Sequence, residues 1–188
     1  MKKITYFVAL FLMGMTFSSC EKEDIENTAT VSMAGQWYVD IDAVDADGNP
    51  IPGGEHYFGY DEERFLLLTY NTSANSKDEM IIDDLGNCDL ANYYGNAAYP
   101  CYSFKGKVNI NQKDLTFTSE NSENLGGDYA FSVVEGKILK GEGRQKNGSV
   151  CDSIVFFVQF DGDPWYPGDG YEYYKISGVR YSGLAEND

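Results

Sequence analysis

Histidine occurs once in these 188 residues, tryptophan twice, cysteine four times and proline five times, and Lys plus Arg number 14 against 30 acids. One histidine, His56, leaves a single candidate base for serine or cysteine nucleophile chemistry, and no Gly-x-Ser-x-Gly elbow exists to hold a nucleophile. A solvated loop histidine is the ordinary outcome in its Gly-rich surroundings. No Cys-x-x-Cys spacing occurs and His56 lies far upstream of Cys88, Cys101 and Cys151, so no metal site and no cofactor are expected. The scarcity of cations gives a net charge of −16, which argues against nucleic acid and against electrostatic attraction to anionic lipid. Helix-length apolar periodicity is missing too. What remains is rich in Tyr, Phe and Gly, and that points to an all-β domain.

The first 19 residues hold Lys2 and Lys3 and then an apolar run from Ile4 to Met15, a secretory signal too short to be a spanning helix. Phe17-Ser18-Ser19-Cys20 resembles a bacterial lipobox, in which the thiol of Cys20 is acylated and the signal, residues 1–19, is removed. The mature charge would then be −18, because residues 1–19 contain no acid. Acyl chains would hold the protein on a membrane without a spanning helix. The polar stretch Glu21-Lys22-Glu23-Asp24 onward has little to bury, so residues 20–32 are expected to be a flexible tether. An acidic cluster directly after the lipidated cysteine also resembles the surface-export signal of Bacteroidetes lipoproteins. That resemblance implies an outer-membrane, surface-exposed location.

Residues 33–188 are long enough for one domain with a real core. In Gln36-Trp37-Tyr38-Val39-Asp40-Ile41, Trp37, Val39 and Ile41 alternate with Tyr38, Asp40 and Asp42, the period-2 pattern of a half-buried strand. Strands are predicted over 64–71, 80–83, 102–110, 115–118, 129–134, 137–140, 153–160 and 171–181. Turns are read at Asn111-Gln112-Lys113-Asp114, Glu135-Gly136 and Asn147-Gly148. Asp45-Ala46-Asp47-Gly48-Asn49-Pro50 superficially has the acidic spacing of a calcium loop but lacks the distal glutamate, and reads as a turn. Short strands in meander order, closed on themselves to remove exposed edges, make an up-and-down antiparallel β-barrel of about 8 strands.

Several motifs are similar to known families. Gly35-Gln36-Trp37 resembles the opening of the lipocalins and wider calycins. Thr69-Tyr70-Asn71-Thr72-Ser73, Asp78-Glu79-Met80, Ile82-Asp83-Asp84, Phe104-Lys105-Gly106-Lys107-Val108 and Ile176-Ser177-Gly178-Val179-Arg180 together resemble a Bacteroidetes lipoprotein family described as lipid-binding putative hydrolases. That resemblance implies a lipocalin-like barrel, with Arg180 of the last strand lying over the indole of Trp37. This chain departs from the family in an inserted loop over 85–101, bracketed by Cys88 and Cys101. A disulfide between them is plausible in an exported protein, although three cysteines allow three pairings.

The function these features imply is a surface-anchored lipoprotein whose barrel binds a small hydrophobic or lipid-like ligand without catalysis. Tyr93, Tyr94, Tyr99, Trp165 and Tyr166 are the candidate ligand rim. Two alternatives stay open: an esterase-type hydrolase acting on a lipid-like substrate, and a filled barrel serving as an accessory or interaction protein of the cell envelope. An empty barrel cavity would favour the carrier, and a filled one the accessory role. His56 within reach of a serine and a carboxylate would favour the hydrolase.

Overall fold

The computed structural model describes residues 28–57, 64–163, 170–184 and 187. Eight strands form one closed antiparallel barrel in sequence order: β1 Gly35–Val44, β2 Phe65–Asn71, β3 Glu79–Asp83, β4 Lys105–Asn111, β5 Thr116–Ser122, β6 Phe131–Arg144, β7 Val150–Phe160 and β8 Tyr173–Arg180. β1 closes onto β8 in a continuous register from Trp37 opposite Arg180 to Val44 opposite Tyr173. The single helix among the described residues, α1 Leu90–Tyr93, lies in the inserted loop. No helix among the described residues is long and apolar enough to cross a membrane.

The alternation read from the sequence sets which side chains fill the barrel. Trp37, Val39, Ile41 and Ala43 of β1 are buried, as are Phe156, Val158 and Phe160 of β7 and Tyr174 and Ile176 of β8. Each large apolar side chain so buried contributes about 1.5–3 kcal/mol. A column of rings runs through the interior. Phe117 meets Phe156 at 5.4 Å, Phe156 meets Phe104 at 6.2 Å, and Phe104 meets Phe160 at 6.3 Å. Phe160 then meets Tyr102 at 5.3 Å, and Tyr102 meets Tyr174 at 5.9 Å. The middle of the barrel is therefore occupied by its own side chains.

Two local expectations are corrected. Glu135-Gly136 does not turn the chain: Phe131 to Arg144 is one strand, and the register against β7 shifts between Val134 and Lys137. The pair is a bulge, with Glu135 at φ 51°. A Cβ on Gly136 would lie 2.5 Å from the Phe117 ring and from its carbonyl oxygen, so only glycine lets β6 pass this close to β5. The ladder of β4 also begins at Lys105 and not at Tyr102. Asp84 accounts for that, because its carboxylate accepts the Phe104 N–H at 3.1 Å while its own N–H donates to the Phe104 carbonyl.

Candidate functional site

The two ends of the barrel differ in construction. At the closed end, where β1 starts and β8 finishes, residues 28–34 turn under the barrel and bury Met33. The Trp37 indole N–H donates to Thr69 Oγ1 at 2.9 Å, and that hydroxyl donates to the Met33 carbonyl at 2.8 Å. The Arg180 guanidinium covers the outer face of the ring, 4.4 Å from its centroid. It also donates to the Ala34 carbonyl and faces Asp152 at 3.4 Å. The indole N–H, the Thr69 hydroxyl and the guanidinium are each bonded to neighbours within the plug, while the buried Thr30 hydroxyl has no hydrogen-bond partner among the described residues.

The open end carries a cluster that the sequence did not reveal. Asp163, in the β7 to β8 connection, is 7 % exposed. Its carboxylate accepts the hydroxyls of Tyr102 at 2.5 Å, Tyr171 at 2.6 Å and Tyr174 at 3.1 Å. Tyr174 and Tyr171 are themselves hydroxyl to hydroxyl at 2.9 Å. Burial first, and hydrogen bonding within the cluster second, push the hydroxyls of all three far above the usual tyrosine range, so they stay protonated. Tyr57 stacks on this group, 5.9 Å from Tyr171 and 5.6 Å from Tyr174.

Against this cluster lies a pocket of about 630 Å³, lined in part by Val158, Phe160, Asp163, Tyr171 and Tyr174. That volume falls within the range of pockets that take drug-sized ligands. The residues were hidden in the sequence for a plain reason. Asp161-Gly162-Asp163-Pro164 is ordinary turn chemistry, and among 15 tyrosines nothing marks Tyr102, Tyr171 and Tyr174 as partners. The available signal was an aspartate whose loop leads into Tyr171 and Tyr174, at a spacing that can turn two hydroxyls to one point.

Of the expected rim, Tyr93, Tyr94 and Tyr99 lie on the inserted loop at the open end. They are 46 %, 54 % and 42 % exposed and contact one another, Tyr94 at 4.9 Å from each neighbour. None of the three lines the mouth pocket. Trp165, Tyr166 and Cys20 lie outside the described residues. The loop is ordered without the expected disulfide, since Cys88 and Cys101 are free thiols. Asp89 bridges Cys101 and the Tyr102 N–H donates to the Cys88 carbonyl at 3.0 Å. That register sets Cys88 opposite Tyr102, buried, and Cys101 opposite Asp89, partly exposed. The two thiols thus occupy successive places that alternate between faces. Asp84, buried beneath, accepts the N–H groups of Gly86, Cys88 and Phe104. Asp83 takes Lys105 at 2.9 Å and the Tyr70 hydroxyl at 2.9 Å. This carboxylate pair therefore does structural work at a strand end.

His56 has a carboxylate partner on the outside of the barrel. Its Nδ1 lies 2.8 Å and 2.7 Å from the two Asp40 oxygens, and its N–H donates to Asp42. No serine or cysteine side chain hydrogen-bonds to His56 among the described residues, and no group of three His, Cys, Asp or Glu there is placed to hold a metal ion.

The fold and its two ends define a class: a small up-and-down β-barrel closed at one end by an arginine stacked on a tryptophan and opening at the other onto a ligand-sized pocket. Residues 22–185 match the family described as lipid-binding putative hydrolase, and the chain belongs to that family. No curated protein matches it in sequence.

Proposed function

We propose that this protein is a lipid-anchored barrel of the cell envelope that holds one small amphipathic, lipid-like ligand at its open end and does no chemistry on it. The observation that carries the reading is the mouth pocket of about 630 Å³ over Phe160, Tyr171 and Tyr174. The ring column from Phe117 to Tyr174 fills the axis, so a ligand has its place at the mouth and does not thread the barrel. His56, with Asp40 but no hydroxyl nucleophile on it among the described residues, supports the non-catalytic side of the reading.

Anchoring through Cys20 gives the mouth a direction. Thr28 sits at the closed end, eight residues after Cys20. Even fully extended, those residues reach roughly 30 Å. The closed end would therefore lie near the membrane, with the mouth and the Tyr93, Tyr94 and Tyr99 loop turned away from it, on the cell surface if the acidic tether acts as an export signal.

Native mass spectrometry with lipid extraction, on the chain from Glu21 onward expressed in a related host, tests the ligand. A stoichiometric co-purifying amphiphile supports the carrier. A clean apo mass, with no uptake of added amphiphiles, would leave the accessory role, which the filled axis favours as the second reading.

A further inference from the structure

We infer that the loops on one side of the mouth dock on a neutral, zwitterionic lipid surface, from which a lipid-like ligand would enter. This rests on the lipid-binding reading of the barrel. Five of the eight exposed large hydrophobic side chains among the described residues, Leu85, Tyr93, Tyr94, Tyr99 and Leu125, stand on two connections at the open end. Leu85 and the three tyrosines belong to the β3 to β4 connection, and Leu125 to the β5 to β6 connection. Exposed apolar groups gathered in this way mark an interaction surface.

The two connections are built as one piece. At the start of β4 the Asp84 N–H donates to the Phe104 carbonyl at 3.1 Å, and the Leu125 N–H donates to the Lys105 carbonyl at 2.7 Å. The Cys101 N–H donates to the Asp128 carboxylate at 2.8 Å, and the Asp128 N–H returns to the Cys101 carbonyl at 3.0 Å. Leu125 is 66 % exposed and Leu85 51 %. Leu85 is presented to solvent against its backbone preference. Its φ is 59°, and the buried Asp83 and Asp84 fix the bend by accepting the N–H groups of Leu85 and Gly86.

Charge and side-chain type decide what such loops fit. Residues 90–104 carry no charged side chain, in a chain whose net charge is −16. That stretch can meet a low-dielectric boundary without stripping water from an ion. Neighbouring charges are committed, Lys105 to Asp83 at 2.9 Å and Asp128 to the Cys101 N–H. Leucine side chains seat at the acyl boundary, while tyrosine rings sit among headgroups with the hydroxyl in water. The net charge repels an anionic lipid surface and leaves a zwitterionic one accessible. Because the tether to Cys20 leaves from the closed end, the lipid surface these loops meet is one presented from outside.

The chain from Glu21 onward keeps every described residue and lacks the acylated cysteine, so flotation with phosphatidylcholine vesicles reads the loops and not the anchor. The expected result is binding that salt leaves unchanged, that weakens when phosphatidylglycerol is added to the vesicles, and that falls roughly tenfold or more in the Leu85→Asn, Tyr94→Ser, Leu125→Ser triple variant. All three positions are exposed, and asparagine tolerates the left-handed backbone at position 85, so the variant should melt as wild type does. Native mass spectrometry of amphiphile uptake from solution, on the same two proteins, separates docking from ligand binding. Uptake without vesicle binding overturns the docking surface and leaves the carrier. Neither uptake nor vesicle binding overturns both. Vesicle binding that the triple variant retains, or that phosphatidylglycerol strengthens, overturns the assignment to these uncharged loops. A dimer in lipid-free solution that the triple variant abolishes gives the loops to a second copy of the chain and overturns the lipid surface.

Discussion

Arg180 and Trp37 face each other across the β1 to β8 closure, register partners whose side chains stack with the guanidinium carbon 4.4 Å from the ring centroid. Gly35 makes room for the stack: a Cβ there would lie 2.2 Å from an Arg180 nitrogen. Arg180→Met, which keeps the apolar stem and removes the guanidinium, should cost about 1–2 kcal/mol through the lost cation-aromatic contact and the hydrogen bond to the Ala34 carbonyl. Gly35→Ala should cost a similar amount by expelling the guanidinium, and much less when Arg180 is already Met. Urea unfolding of the two single variants and the double variant measures that coupling. Additive losses would mean that the glycine and the arginine act independently.

The bulge at Glu135-Gly136 separates two readings of the same dipeptide. Gly136→Ala should destabilise by about 1–3 kcal/mol, because the new methyl meets the Phe117 ring and backbone, neither of which can move freely. Glu135→Gly should fall within about 1 kcal/mol of wild type, since relief of a positive φ is offset by the added freedom of the unfolded chain. Thermal unfolding of both variants reads the difference. In a solvent-exposed hairpin turn, by contrast, alanine after glutamate would meet nothing.

These positions show which features were legible in the sequence. The alternation of Trp37, Val39 and Ile41 placed β1 correctly because burial has period 2 in any strand. The Trp37 to Arg180 stack followed from a family resemblance at both ends of the chain. Glu-Gly was misread because its backbone preference, a positive φ beside a glycine, serves a tight turn and a bulge equally well. Only the position of Phe117 on the neighbouring strand decides between them. The Asp163 cluster was illegible for a related reason. Tyr102 and Asp163 are 61 residues apart in the chain, and no local pattern encodes a contact made by closing the barrel.

The three cysteines should differ sharply in reactivity. Cys88 is 1 % exposed, and burial first and the Asp84 carboxylate second hold its thiol well above the usual range. In the chain from Glu21 onward, a disulfide-exchange reagent should modify Cys101 and Cys151 in the native state, faster as pH rises, and reach Cys88 only on unfolding. Mass mapping of the modified peptides identifies the sites. A single free thiol in the unreduced, unfolded chain, mapped to Cys151, would show instead that Cys88 and Cys101 pair, with a local change in the register that now alternates them.

His56 provides a pH readout on the outer wall. The hydrogen bond that its ring N–H donates to the Asp40 carboxylate, and then that carboxylate's charge, raise the imidazole above its ordinary value of 6.5. The folded state thus binds the proton more tightly than the unfolded chain. The stability this contributes is fully present below pH 6.5 and is lost as pH rises through the folded value. An NMR titration of the ring protons should give a raised midpoint in wild type and one near 6.5 in Asp40→Asn. An unshifted wild-type midpoint would remove the pairing. The ring is 43 % exposed, so the pairing should stabilise the fold only slightly.

The tyrosines around Asp163 should respond at the opposite end of the pH scale. Tyr102, Tyr171 and Tyr174 are raised above the ordinary value of 10.0, so the folded state favours their neutral forms more than the unfolded chain does. Stability from this source is complete below pH 10 and declines as pH rises above it, because the unfolded chain then releases protons that the folded barrel retains. Ultraviolet titration should show three tyrosines that do not ionise until the barrel unfolds. Tyr174→Phe removes one donor from a buried carboxylate and should cost about 1–3 kcal/mol near neutral pH. It should also make stability fall less steeply as pH rises above 10, since one fewer group then drives the loss. A Tyr174→Phe variant with the wild-type slope would assign the alkaline transition to other groups and leave the cluster a purely packing role.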